Sequence, residues 1–244
     1  MLTVNGLSKT IDKEPVLVDL SFEMRDGDRL GIIGPNGSGK SLLLAMLATL
    51  VKPTKGKIYF DGLDAWTKLG IIRPQIGYLT PTPIQAFEPI QMINLTVNEY
   101  LNFYAQAYGI NRLVKSDLIQ GTLELTDLGP VQNKPLMQLS LGQQTRVLLA
   151  KNVLHDPKLW LLDDPLSQMD PNGQTELIEL ILELGKMKKM VVLSTNHLTA
   201  IQKICNRVAV LHQGQLAYFG SMPSDLVSTY HRLVKPEMTT NVSS

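Results

Sequence analysis

A chain of 244 residues, 44% hydrophobic and 18% charged, has the length and apolar content for one large α/β domain with an ordinary buried core. Its 23 basic and 22 acidic residues nearly cancel, which argues against nucleic-acid binding through a broad basic surface. The one cysteine, Cys205, excludes a disulfide framework and a cysteine metal cluster, and no apolar run approaches the ~20 residues of a membrane span.

The start of the chain, residues 1–8, lacks the charged lead and apolar stretch of a secretory signal. The expectation is a soluble chain whose membrane role, if any, comes through a partner. Residues 2–7 and 16–24 alternate apolar and polar, as half-buried strands do, with a turn at 12–15 between them. They predict a small antiparallel sheet leaning on an α/β core. After a turn at 26–28 comes an apolar strand at 30–33. It runs into Gly34-Pro35-Asn36-Gly37-Ser38-Gly39-Lys40-Ser41, and an apolar helix is expected over 42–50. The octapeptide fits G-x-x-x-x-G-K-[ST], and its position between strand and helix is what a phosphate-binding loop requires. Glycines let successive N–H groups converge on one anion, and the helix N-terminus adds partial positive charge. Lys40 is placed to reach terminal phosphates, the Ser41 hydroxyl to ligate magnesium, and Leu42 to line the start of the helix.

Strands follow at 57–60 and 76–79. Residues 80–94 carry three prolines and little periodicity and read as a functional loop. From 97 to 128 apolar residues recur at helical spacing, predicting a helical insert, with the Tyr100/Tyr104/Tyr108 stripe read as core packing. The α/β pattern then resumes. Strands are expected at 158–162, 190–193, 207–211 and 215–219, with a hairpin turn at Gln213-Gly214. Helices are expected at 147–154, 171–186 and 198–205, and a polar, mobile tail from 235.

Four further stretches offer chemistry. The strand at 159–162 ends in Asp163-Asp164; buried strands of phosphate-loop proteins end this way to hold magnesium, with Asp163 as ligand and Asp164 beside it to polarise a water. Asp170 stands before Pro171 as a helix cap. His197 follows an apolar strand. Residues 139–146, with Ser140, Gly142 and Gln143, supply a hydroxyl, a glycine and a helix N-terminus, an anion site without a lysine of its own.

Phosphate loop, Ser140-Leu141-Gly142-Gln143, Asp163-Asp164, Asp170 and His197, in that order, resemble the ATP-binding cassette (ABC) ATPases from residue 2 to about 226. The resemblance implies an α/β fold with a phosphate-loop NTPase core, a small antiparallel β subdomain and a helical subdomain at about 87–150, within one domain spanning 1–234. It implies ATP and Mg2+ as ligands. Catalytic roles fall to Lys40, Asp164 and His197, metal binding to Ser41 and Asp163, and nucleotide contacts to Ser140, Gly142, Gln143 and Asp170. It also implies two cassettes paired head to tail, each ATP lying between one phosphate loop and the other chain's signature. Transmembrane permease subunits would be gripped by the helical insert on the cytoplasmic face of the cell membrane. The implied task is powering transport, with export the expected direction; the alternative is driving a membrane complex in division, motility or envelope remodelling. No nucleic acid is expected as partner.

Four positions depart from the family pattern. Asp164 stands where glutamate is usual, and Ile11 where an aromatic residue stacks on adenine. Pro81 stands where a glutamine follows the strand, leaving Gln85 as the substitute metal contact. Leu141 replaces the signature's first glycine. Three of these lie on the phosphate-loop side, so pairing with a different cassette, as well as with a second copy, is an open expectation.

Overall fold

The strands are β1 (Leu2–Ile11), β2 (Glu14–Met24), β3 (Arg29–Ile33), β4 (Lys55–Phe60), β5 (Leu63–Asp64), β6 (Ile76–Leu79), β7 (Leu159–Asp163), β8 (Met190–Ser194), β9 (Arg207–His212) and β10 (Gln215–Ser221). The helices are α1 (Lys40–Leu47), α2 (Leu69–Ile72), α3 (Ile90–Ile93), α4 (Val97–Ala107), α5 (Arg112–Leu125), α6 (Leu141–His155), α7 (Pro171–Lys186), α8 (Leu198–Ile204) and α9 (Leu226–Val234). This computed structural model describes residues 1–80, 82–86 and 88–234, with Gln85 and Gln168 described in their backbone only. The expected mobile tail lies outside the described residues.

Alternation at the N-terminus builds the predicted antiparallel sheet, in the order β2-β1-β4-β5. β1 buries Leu2, Val4 and Leu7, and β2 buries Leu17, Leu20, Phe22 and Met24. Their turn places Asp12 and Lys13 at φ 49° and 70°, the backbone twist that two-residue hairpins favour. The second sheet runs β10-β9-β3-β8-β7-β6. β3, β8, β7, β6 and β9 are parallel, and β10 returns antiparallel beside β9. β7 and β8 are buried at every position, which is why they read as unbroken apolar runs.

Successive residues of a strand face opposite ways, so β7 feeds two cores. Leu159 and Leu161 pack with Leu43 and Leu47 of α1 and with Leu2 and Phe60 of the antiparallel sheet. Trp160 and Leu162 join the core that holds Tyr100, Leu123, Val147, Leu177 and Ile201 from α4 to α8. The parallel strands thus point their C-terminal ends to one edge of the layer. The row Ile32, Ser194 and Asp163 is set by the register of β3, β8 and β7.

Several boundaries differ from the sequence expectation. α1 ends at Leu47 rather than residue 50. Thr49 turns to φ 58°, and Arg73 binds its hydroxyl and carbonyl, each at 3.1 Å. The helical stretch 97–128 is two helices, because Gly109 adopts φ 72° and ends α4. α6 starts at Leu141 rather than 147, since Ser140 caps it. The loop 80–94 contains α3 and a short 3-10 turn, Ile84–Ala86. α9, which the sequence reading did not anticipate, packs on β9 and α8.

Candidate functional site

The phosphate loop leaves β3 and ends at Gly39, the N-cap of α1. Gly39 has φ 101°, and a Cβ there would lie 2.5 Å from Leu17 Cδ2; a Cβ at Gly34 would lie 2.1 Å from the carbonyl oxygen of Leu211. Only glycine fits either place. Lys40 Nζ donates to the carbonyls of Gly34 and Pro35, at 2.7 and 3.0 Å, so the loop curls around its own lysine. Partial burial lowers the Lys40 pKa, while the charges of Asp164 and Asp163 oppose that shift. Among the described residues the buried Ser38 hydroxyl has no hydrogen-bond partner. An orphaned donor inside a loop of converging amides fits a bound phosphate.

Asp163 ends β7, 2% exposed. Its Oδ1 accepts from Ser41 Oγ at 3.1 Å and from Ser194 Oγ at 2.5 Å. Asp164 sits at φ 45°, its N–H donating to Ser194 O at 3.0 Å and to Ser194 Oγ at 3.1 Å. Asn196 Nδ2 donates to Asn36 Oδ1 at 3.1 Å. Tyr78 of β6 completes the surroundings; burial, and then the negative charge of Asp163, push its phenol up to about 12.

The result is a cleft of about 540 Å³. It brings together Asn36, Gly37, Gly39, Lys40, Ser41 and Leu42 with Asp163 and Asp164, and Ile11 and Val16 close the hairpin side. Gly34 and Pro35 line a smaller cavity, where Asn36 and Tyr230 also stand. His197 is not among the cleft's lining residues; it is exposed at the start of α8, its N–H donating to Thr195 Oγ1 at 3.2 Å. Ser194, Thr195 and Asn196 are the residues that sequence reading passed over in favour of His197. An apolar strand ending in Ser-Thr-Asn was the available signal. What makes Ser194 matter is its register opposite Asp163.

The signature residues form a separate cleft. Ser140 caps α6 reciprocally with Gln143: Gln143 N–H donates to Ser140 Oγ at 3.3 Å, and Ser140 N–H to Gln143 Oε1 at 3.0 Å. This capping box satisfies two N–H groups at the start of the helix, and Leu141, its first residue, is exposed. Ser140, Leu141, Gly142 and Gln143 line about 560 Å³ together with Arg146 and Asp170. Asp170 therefore lies with the signature and not with the phosphate loop. There its Oδ1 caps α7 through Gly173 N–H at 3.0 Å and stands 3.8 Å from Arg146.

Gln85, the expected metal contact, has a side chain outside the described residues, as does Pro81. Its neighbours are well tied. Gln144, 4% exposed, accepts from Ile84 N–H at 3.2 Å and donates to Leu139 O at 3.0 Å. Glu88 Oε1 accepts from the hydroxyls of Tyr100 and Tyr104, at 2.7 and 2.8 Å, and lies 3.8 Å from Lys151. The tyrosine stripe is thus polar glue as well as core. The ammonium of Lys151 also sits 4.6 Å from the Tyr104 ring centroid.

Fold and site together define a phosphate-loop, nucleotide-binding α/β protein with a second anion-suited helix terminus. The sequence profile of the ABC transporter family matches residues 17–167. The chain belongs to the ABC transporter ATP-binding proteins, a family of ATPases. It is 31% identical over 224 residues, 90% of its length, to the energy-coupling factor transporter ATP-binding protein EcfA2 of Caldanaerobacter subterraneus subsp. tengcongensis, spanning 76% of that protein.

 It is 32% identical over 232 residues, 94% of its length, to the probable multidrug ABC transporter ATP-binding protein YbhF of Escherichia coli (strain K12), and spans 39% of that longer protein. Among solved structures, an ATP-binding subunit of an ABC transporter superimposes with a TM-score of 0.83 at 26% identity, over 91% of this chain and 90% of that one. Among the described residues no helix is long and apolar enough to cross a membrane.

Proposed function

We propose that this chain is the ATP-hydrolysing subunit of a membrane transport complex, with export as its direction, and that it works by closing head to tail on a second cassette around ATP. One observation carries the reading: the phosphate-loop cleft and the signature cleft of one chain share no lining residue. Each is half of a site, and a second chain is the natural source of the other half. The name of YbhF supports export. EcfA2 belongs by its name to an energy-coupling factor transporter, so the coarser reading, ATP-driven transport, rests on both.

In this reading the loop amides and Lys40 hold the phosphates. The oxygens of Ser41 and Asp163 would hold Mg2+, a hard cation that takes few protein ligands and completes its shell with phosphate and water. When bound, that ion neutralises charge on the phosphates. Asp164 orients the attacking water and accepts its proton. Ser140, Gly142 and Gln143 receive the phosphates of the partner's ATP, and His197 and Asp170 meet the opposite chain. Residues 1–234 act as one cassette. Its insert, at about 87–150, takes the membrane partner at the cytoplasmic face, in a groove of about 650 Å³ between β6, α4 and α6. Among the described residues the Asn152 Nδ2 and His155 Nε2 atoms there are buried without hydrogen-bond partners, which suits a docked segment that presents acceptors.

The test is ATP turnover of the purified chain beside Lys40→Ala and Asp164→Asn. Wild type is expected to hydrolyse ATP and both variants to lose turnover, with Asp164→Asn still binding nucleotide. If wild type binds ATP without turning it over, and Asp164→Asn behaves the same, a competent second cassette is required.

A further inference from the structure

We propose that the tip of the helical insert, residues 103–118, rests on the membrane surface itself, with Leu113 and Val114 in the lipid interface and Lys115 on the phosphate of an anionic phospholipid headgroup. The inference takes its orientation from the proposed docking of the insert at the membrane and adds lipid to the protein partner there. α4 ends and α5 begins at this tip. Gly109 turns the chain at φ 72°, and Asn111 caps α5, its Oδ1 accepting from Leu113 N–H at 2.9 Å. Ala107, Tyr108 and Ile110 line the groove assigned to the membrane partner, so the tip starts where that groove ends.

The first turn of α5 then shows apolar side chains to solvent. Leu113 is 87% exposed and Val114 53%; Leu118, one turn after Val114, and Phe103 on α4 are exposed as well. A single exposed leucine is ordinary, whereas several together at adjoining helix ends mark a contact surface. Charge says which kind. Arg112 and Lys115 stand against one acid, Asp117, across residues 103–118. Among the described residues neither cation forms an ion pair. Cationic side chains interleaved with leucine and valine suit an anionic membrane, because their stems lie on apolar surface while the charge stays in the headgroup layer.

A second feature stands beside this patch. Lys115 and Ser116 line a pocket of about 180 Å³ with the amides of Asn98, Asn102, Gln120 and Gln132, and no carboxylate is among its lining residues. Asn102 Nδ2 donates to Asn98 O and Oδ1, at 3.0 and 3.1 Å, which fixes the Asn98 amide. Ammonium, hydroxyl and amide donors without an anion among them match the oxygens of a phosphate diester.

Flotation of the full chain with phosphatidylcholine vesicles, with and without phosphatidylglycerol, tests this. Wild type is expected to bind the anionic vesicles more tightly, by about fivefold or more, and to lose that preference at high salt. Arg112→Gln and Lys115→Gln should each weaken binding to anionic vesicles about fivefold. Leu113→Ser should weaken binding to either vesicle about tenfold. Leu50→Ser, at an exposed leucine after α1, is the control and should change nothing. Melting temperatures of the variants should match wild type, which separates lost lipid contact from lost fold. Equal binding of wild type to both vesicle types overturns the inference, as does unaltered binding by Lys115→Gln and Leu113→Ser. If wild type hydrolyses ATP yet floats with neither vesicle, the tip faces protein and the inference falls alone. Failed ATP turnover with charge-dependent flotation intact would strike the functional proposal and support the lipid contact.

Discussion

Asp163 sets the electrostatics of the phosphate-loop cleft. It is a buried carboxylate whose neighbours are hydroxyl donors, Ser41 and Ser194, on one oxygen. Removing one of them should be costly, because hydrogen bonds to charged groups are worth about 1.5–3 kcal/mol. Ser194→Ala is expected to lower stability by about that amount, read as a shift of the urea midpoint at neutral pH. Asp164 is held differently. Its backbone is pinned in the left-handed region by Ser194, so its short side chain has little freedom to advance into the cleft. Asp164→Glu adds one methylene. Since a misplacement of about 1 Å can cost 100-fold, this variant is expected to raise ATP turnover by tenfold or more, measured as phosphate release under saturating ATP.

Elements carry the residues to these places, and some of that was legible. A capping box, Ser140 with Gln143, marks the start of α6 in the sequence itself. The apolar period begins only at Val147, however, and reading by periodicity alone placed the helix start there, six residues late. The parallel strands were legible because burial on both faces leaves unbroken apolar runs. Their register was not: nothing local in the sequence says that Ser194 lies opposite Asp163. Gln144 was equally hidden, since its worth depends on an N–H and a C=O brought from either side. Only an amide serves both. Gln144→Leu should leave the amide of Ile84 and the carbonyl of Leu139 unpaired, at about 1–3 kcal/mol each. In a chain of this size that lowers the melting temperature by roughly 4–8 °C or more, measurable by calorimetry.

At the scale of the whole molecule the phosphate-loop and signature clefts can be separated by mutation. Ser140→Arg fills the signature cleft without touching any residue that lines the other. It is expected to abolish ATP turnover while leaving the ATP dissociation constant of the single chain unchanged. Retained turnover in the purified chain would mean that hydrolysis does not need the signature of a second copy. The resemblance to the ABC ATPases implied that the phosphate loop and the signature of one chain serve different ATP molecules, but not which residues line each cleft, nor that Asp170 stands with Ser140 rather than with Lys40. Those are facts of tertiary packing. Packing also turns α6 into a lever. Lys151, near one end, is clasped by Glu88, and Ser140 caps the other end, about 16 Å away at 1.5 Å per residue. A tilt of about 5° about the clasped end carries the serine about 1.4 Å. Displacements on that scale separate a working catalytic geometry from an idle one, so in the proposed reading a partner pressing the groove beside Lys151 would move the signature by a distance that matters to turnover.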